Sequence, residues 1–507
     1  MANYKSLLYL IIALLIFAAV GCHKTVYLMP TPAIVATGEL NPFSVNPNLE
    51  ESNRVEVLFA TNRTPMGDDD NRTYSIFPGN KLRVGIVHFT IGGEETDWGQ
   101  IFKLSTSDEN RDRPALHLKD LQELAVIPLD DETASISKEM ASLAAHVNDV
   151  LARSVDKDIM VYVHGANSSI YRAAAQAAQY RHFTGRNSMV ISFLWPSAEN
   201  LLAYGTDVRH AKKSAPAFVR LITLLNEHTA AENINILAYS AGTQIVSPGL
   251  AILGQERKGE KRRQLRLGEV YFAGADIAVD TFVAHLQTYF DIPRSVTLTI
   301  NLKDTVLAMA EWHHGVSRAG RPKAEDLTPE AAHWARNASV ESRFDVIGVD
   351  EKSVVGLSSG AHDFWYAHPW ISSDVLVQFL FHADPLKRGL VENYNEHGLR
   401  YWTFPPDYPD RIIGIILEAK KEEAKNLGQQ YQQTSDASEK KKIEKELKTL
   451  LGEIYELRRE VMRYKVKKVE GRLSEVKEEL KKYENDRNGV INAWFDQLTE
   501  REGYKKF

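Results

Sequence analysis

The stretch Ile234-Asn235-Ile236-Leu237-Ala238-Tyr239-Ser240-Ala241-Gly242-Thr243-Gln244 reads as an apolar strand, a sharp turn and the start of a helix running to Gly254. A strand that turns abruptly into a helix lifts the side chain at the turn clear of the backbone, and here that side chain is a serine hydroxyl. The flanking positions must be small because strand and helix approach closely. Ala238 and Gly242 meet that need, with alanine standing where G-x-S-x-G has its first glycine.

Outward from this turn, apolar runs recur at Ile159 to Val163, Met189 to Leu194, Val270 to Ala273, Val296 to Ile300 and Phe344 to Val349. Helical stretches such as Ile170 to Phe183 and Ala215 to Glu227 lie between them. Continuous apolar strands joined by helices are buried on both faces, which predicts a doubly wound, mostly parallel α/β sheet. Ligands of such sheets bind beyond the carboxyl ends of the strands. Before this alternation, Val55 to Ala60, Leu82 to Phe89 and Leu124 to Leu129 read as strands and Asp131 to Arg153 as a helix.

The 507 residues allow two or three domains, and 44% hydrophobic content suits a globular core. Lys+Arg 61 against Asp+Glu 67 leaves a net charge of −6, without the concentrated positive field that nucleic-acid binding needs. The single cysteine, Cys22, follows Lys5, an apolar run from Leu7 to Val20, and Gly21. That run suits a secretory signal better than a bilayer span, and Ala19-Val20-Gly21-Cys22 has the form of a bacterial lipobox. Residues 1–21 are therefore expected to be a signal peptide and Cys22 the lipidated start of the mature chain. Each acyl CH₂ buried in the bilayer contributes about 0.8 kcal/mol to such an anchor. The expected location is the bacterial cell envelope, and in a Gram-negative host the outer membrane. Residues 22–53, with Pro30, Pro32, Pro42 and Pro47, are expected to form an extended linker to the α/β domain over residues 54–406.

Residues 407–507 differ in composition. From Glu418 to Arg487, 35 of 70 residues are charged, 19 basic and 16 acidic. Ile443, Leu447, Leu450, Ile454, Leu457, Val461 and Tyr464 recur in steps of four and three, and the pattern resumes at Val469, Leu473, Val476, Leu480 and Tyr483. This is the seam of a coiled coil, whose partner is either a hairpin within the chain, a second copy or another protein. Asp436 with Glu439 predicts a helix start near Thr434 to Ser438.

A serine nucleophile needs a base, a carboxylate behind the base and two donors for an oxyanion. His362, in Gly360-Ala361-His362-Asp363, follows the last apolar strand and is the expected base; His313 and His314 come too early and His368 too late. Asp304, just after the strand Val296 to Ile300, is the expected acid, with Asp276 after the preceding strand as the alternative. The backbone N–H of Ala241 and of Ala166, in Val163-His164-Gly165-Ala166, are the expected oxyanion donors, with His164 as an orienting neighbour. No H-E-x-x-H occurs, so no zincin-type metal site is predicted, and no cofactor is expected.

Leu58-Phe59-Ala60-Thr61-Asn62-Arg63, Tyr162-Val163-His164-Gly165, Phe193-Leu194-Trp195-Pro196-Ser197, Tyr204 with Asp207, the Ser240 turn, Asp276-Ile277 and Gly360-Ala361-His362 together resemble the bacterial α/β-hydrolase family of uncharacterised function called DUF900. The resemblance spans about Arg54 to Ala383. It implies a serine-hydrolase fold and carries nucleophile, acid and base onto Ser240, Asp304 and His362. Ala238, Ala278 and the Ala361 and Asp363 flanks of the histidine depart from the family pattern, and Pro248 falls inside the helix after the turn. The expected activity is a membrane-tethered serine esterase or lipase-like hydrolase acting on a small-molecule or lipid ester. The alternative is a catalytically silent scaffold that binds envelope partners through the helical arm.

Overall fold

The computed structural model describes residues 25–499, apart from 69–70, 109–111, 130–137, 257–258, 260–261, 263, 341–342 and 413. Among these, one unit comprises the chain up to Ala36 together with Asn41–Ile415, and a second comprises Thr37–Leu40 together with Ile416 onward.

The first unit is built on an 11-stranded sheet with strand order β10-β11-β9-β8-β7-β6-β4-β5-β1-β2-β3. The strands are β1 Arg54–Met66, β2 Thr73–Ile91, β3 Leu116–Pro128, β4 Ile159–Val163, β5 Met189–Phe193, β6 Ile234–Tyr239, β7 Leu267–Ala273, β8 Ser295–Ile300, β9 Phe344–Gly348, β10 Val391–Tyr394 and β11 Arg400–Thr403. Neighbours from β11 across to β1 run parallel, while β1, β2 and β3 form an antiparallel meander and β10 pairs antiparallel with β11. The doubly wound sheet expected from the apolar runs is present.

Both faces of the parallel strands are buried, and alternation along each strand assigns them different neighbours. Val161, Val163, Ile236, Phe272 and Val296 join a cluster with Phe218, Ile245 and Phe282 from the helices Tyr204–His228, Thr243–Glu256 and Val279–Tyr289. On the other face, polar side chains meet the helices Ile170–Phe183 and Pro369–Phe381. Tyr162 donates to Gln176 at 2.6 Å, Tyr271 to Asp374 at 3.1 Å and Thr297 to Gln378 at 3.0 Å. Arg388, fully buried, closes this layer with bonds to Asp374 at 2.8 Å and Gln378 at 2.9 Å.

Several boundaries differ from expectation. β1, β2 and β3 extend well past the predicted runs because their outer halves pair with each other instead of burying apolar side chains. The helix expected from Ala215 begins at Tyr204 and carries Pro216 inside it. The helix expected from Asp131 is described from Lys138; its first part lies outside the described residues. The extended linker is the largest correction. Leu28, Met29, Ile34, Val35 and Phe43 are buried, Phe43 packs edge-on against Trp98 at 5.3 Å, and Met29 N donates to Gln179 at 2.8 Å. Apart from the single-turn helix Ala33–Ala36 the segment is irregular, yet its apolar side chains are buried against the domain.

The second unit contains helices Ile415–Gln433, Ala437–Asn485 and Arg487–Thr499. Asp436 caps the 49-residue helix by accepting from Ser438 N and Glu439 N, as its sequence predicts. Lys420 pairs with Glu453 at 2.6 Å and Lys440 lies over the Tyr431 ring, so the first two helices run side by side and antiparallel. Ile443, Leu450, Ile454 and Val461 are buried, whereas Val469, Leu473, Val476, Leu480 and Tyr483 are exposed.

Candidate active site

β6 ends at Tyr239, and Ser240 adopts φ +52, a left-handed conformation that costs a non-glycine residue energy and persists only where its surroundings enforce it. Two glycines do so. A Cβ on Gly242 would meet the carbonyl oxygens of Val163 and His164 at 2.5 and 2.7 Å, and one on Gly165 would meet Ser240 Cβ at 2.9 Å. Ala238, by contrast, is wholly buried in the core cluster, so the missing first glycine is accommodated.

The Ser240 hydroxyl lies 2.8 Å from His362 Nε2, and His362 Nδ1 lies 2.6 Å from Asp304 Oδ2. Asp304 is fully buried, and its other oxygen accepts from Leu307 N at 2.9 Å, which also caps the helix Thr305–His314. That second bond fixes the carboxylate's rotation, so it meets the histidine with one oxygen only. Thr305 and Asn301 hold the histidine's loop, donating to Gly360 O at 3.1 Å and Ala361 O at 2.8 Å. The Tyr239 ring packs against His362 at 5.3 Å, and Gly274, at φ +57, leaves room for the imidazole.

Asp276 does not reach the histidine. Its carboxylate accepts from Tyr204 OH at 2.6 Å and pairs with Arg318 Nε at 2.7 Å, while its backbone N–H donates to Ser240 O at 3.2 Å. This corrects the alternative acid: Asp276 sits at a neighbouring strand end but is turned away toward the cation. His368 Nε2 donates to Val355 O while its Nδ1 accepts from Trp370 N and caps the following helix, and His313 and His314 pack on Tyr204, so these rings too lie apart from the serine.

Ala241 follows Ser240 in the turn, and Ala166 follows Gly165, whose backbone touches the serine. Among the described residues His164 is engaged with Gly165 and Trp195 and not with Ser240, His362 or Asp304. Its ring stacks on Trp195 at 5.0 Å, Nδ1 bonds Gly165 O at 2.7 Å, and Trp195 Nε1 donates to His164 O at 2.7 Å. Burial, reinforced by the Arg63 guanidinium, pushes its pKa down to about 3, so the ring is neutral and braces the loop.

Asp207 is the polar residue whose importance the sequence conceals. Fully buried, it accepts from Asn167 N at 2.9 Å, Ser197 OH at 2.8 Å and Ala198 N at 2.5 Å, and so ties the loop after β4 to the loop after β5. The recurring Tyr204 and Asp207 pair was the available signal, without its partners. Cys22 lies outside the described residues. Among the described residues no group of three metal-ligating side chains occurs, and no helix is long and apolar enough to cross a membrane.

Residues 139–362 match the family model DUF900, alpha/beta hydrolase of unknown function. Over these residues the chain is similar to that family. The match is narrower than the expected Arg54 to Ala383: it omits the β1–β3 meander and everything after His362, yet it includes Ser240, Asp304 and His362. No curated protein matches the chain. The match, together with the mostly parallel sheet, likens residues 139–362 to alpha/beta hydrolases and supports hydrolase activity.

Proposed function

We propose that this α/β domain is a serine hydrolase acting on esters through an acyl-enzyme. His362, carrying its proton on Nδ1 toward Asp304, accepts the Ser240 proton at Nε2 as Oγ attacks the ester carbonyl. The backbone N–H groups of Ala241 and Ala166 receive the oxyanion. The imidazolium, stabilised by buried Asp304, returns the proton to the departing alkoxide and releases the alcohol. Water then attacks the acyl-serine by the same route, freeing the carboxylic acid and restoring Ser240. No metal or cofactor is needed for this sequence.

The observation that carries the reading is the unbroken chain from Ser240 Oγ through His362 to a carboxylate buried and held from behind. The lipobox form around Cys22 supports tethering of the enzyme to the bacterial cell envelope. A fluorophosphonate probe should label Ser240 in the folded protein; equal labelling of Ser240→Ala, or none of the wild type, rejects the reading.

The exposed seam Val469, Leu473, Val476, Leu480 and Tyr483 favours a second role for the arm, coiled-coil association with a partner or another copy. Sedimentation of the chain before and after Leu473→Lys with Leu480→Lys tests it, since an unchanged mass removes self-association.

A further inference from the structure

The helix Thr305–His314, whose first residue follows Asp304, turns an apolar stripe to solvent. Val306 is 42% exposed, Met309 61% and Trp312 87%, and their spacing puts these three on one side, with Leu302, 62% exposed, in the turn just before the helix. Leu202, 82% exposed, belongs to the same margin, because Tyr204 two residues later packs on His313 and His314. Leu307 and Ala310 on the opposite side are buried, so the stripe is rigidly seated. The helix's one carboxylate, Glu311, is turned to Arg321 and Lys323. Cations border the stripe: Arg209 lies beside His313 at Gly205 and Lys212 lines a cavity of about 430 Å³ together with His314, while Lys303 before the helix is paired with Glu351.

The direction of the N-terminus bears on what covers this face. Val26 N accepts no freedom of position: it donates to Tyr171 OH at 3.0 Å, and Thr25 to Pro30 line a cavity with Asp363, Tyr366 and Ala367, just beyond His362. The described chain thus starts at the His362 end of the domain. An acylated Cys22 would hold that end within reach of the bilayer, raising the local concentration of lipid so that a small apolar patch suffices.

We propose that the face formed by Leu302, Val306, Met309 and Trp312 with Leu202 rests on a phospholipid surface, presenting Ser240 to an ester carried in that surface. Tryptophan and methionine enter the interfacial layer while the bordering cations meet anionic headgroups. The use of the face rests on the reading of Ser240 as nucleophile, and the reach of the bilayer on the reading of Cys22 as a lipid anchor; the docking is measured apart from both.

The lipidated full chain has no free thiol once Cys22 is acylated, so Met309→Cys offers a unique site for a nitroxide. In vesicles of phosphatidylethanolamine and phosphatidylglycerol, the label should become accessible to oxygen and shielded from a water-soluble nickel chelate. A label at Leu386→Cys, 65% exposed elsewhere, should stay open to the chelate. Met309→Ser with Trp312→Ser should lower turnover of a vesicle-borne ester about tenfold and change that of a soluble short-chain ester less than about twofold. A label at 309 that remains open to the chelate overturns the proposal. So does shielding that grows with protein concentration in the absence of vesicles, which would mean a second copy, and so does recovery of the chain without lipid. Fluorophosphonate labelling of Ser240 is read separately, so loss of the docking and loss of the hydrolase reading are distinguished.

Discussion

A Cβ built on Gly165 would lie 2.9 Å from the Cβ of Ser240, closer than real Cβ contacts come. The loop after β4 therefore touches the serine itself, and glycine is what permits it. Gly165→Ala must push the two apart. A misplacement near 1 Å is expected to lower kcat about 100-fold. Steady-state turnover with a thermal melt checks this, since a variant that turns over normally would show the contact to be slack.

Asp304 and Asp276 differ in what they hold. Asp304→Asn keeps shape but presents the wrong hydrogen-bonding character to His362 Nδ1, and kcat should fall about 10⁴-fold with fluorophosphonate labelling slowed in parallel. Asp276→Asn leaves the His362 partner in place and weakens the Tyr204 and Arg318 bonds, so its principal effect should be on melting temperature. If the two substitutions lowered kcat equally, Asp304 would lose its assigned role.

His382 sits at the opposite ends of the strands from Ser240, 3.1 Å from Asp158 and 3.2 Å from Glu269. Its hydrogen bond to Asp158, then that to Glu269, raises its pKa to about 9, against a burial effect of opposite sign. A group raised in the folded state stabilises fully below its unfolded pKa of about 6.5 and loses that contribution as pH rises through the folded value. Melting temperature should therefore decline between pH 6.5 and about 9, and His382→Gln should flatten the decline. An identical pH profile in that variant would contradict the linkage.

Arg388 and Asp374 are both fully buried and 2.8 Å apart. Arg388→Met would strand a buried carboxyl group, whose pKa burial already raises, and is expected to cost about 3–5 kcal/mol. Adding Asp374→Leu removes the orphaned group and should recover part of that loss. Denaturant unfolding of the single and double variants decides, with no recovery arguing against the pair as the cause.

The parallel strands and the serine turn were legible because burial on both faces leaves unbroken apolar runs and close packing demands small residues. Ile159–Val163, Ile234–Tyr239 and the helix Ile170–Phe183 have the predicted limits. The fold's dependence on residues 25–43 was not legible, since Leu28 and Phe43 are buried by grooves that exist only after the sheet has formed. Strand order alone left Asp304 and Asp276 both available. Arg318 and Tyr204, distant in the chain, separate them by claiming the carboxylate of Asp276. Asp207 was hidden for a similar reason: its partners are backbone N–H groups and a hydroxyl on two loops, which no local pattern announces. β10 and β11, four residues each, are too short to carry periodicity.

The margins of the sheet also govern how the chain meets other copies of itself. On one side β3 exposes His117, Lys119, Asp120 and Gln122 and ends at Pro128; on the other β10 contributes only four residues, with Glu392 outward. Charges, a proline and brevity deny an incoming strand a template for edge-to-edge growth. These blunted borders guard the folded protein against aggregation wherever its local concentration is high.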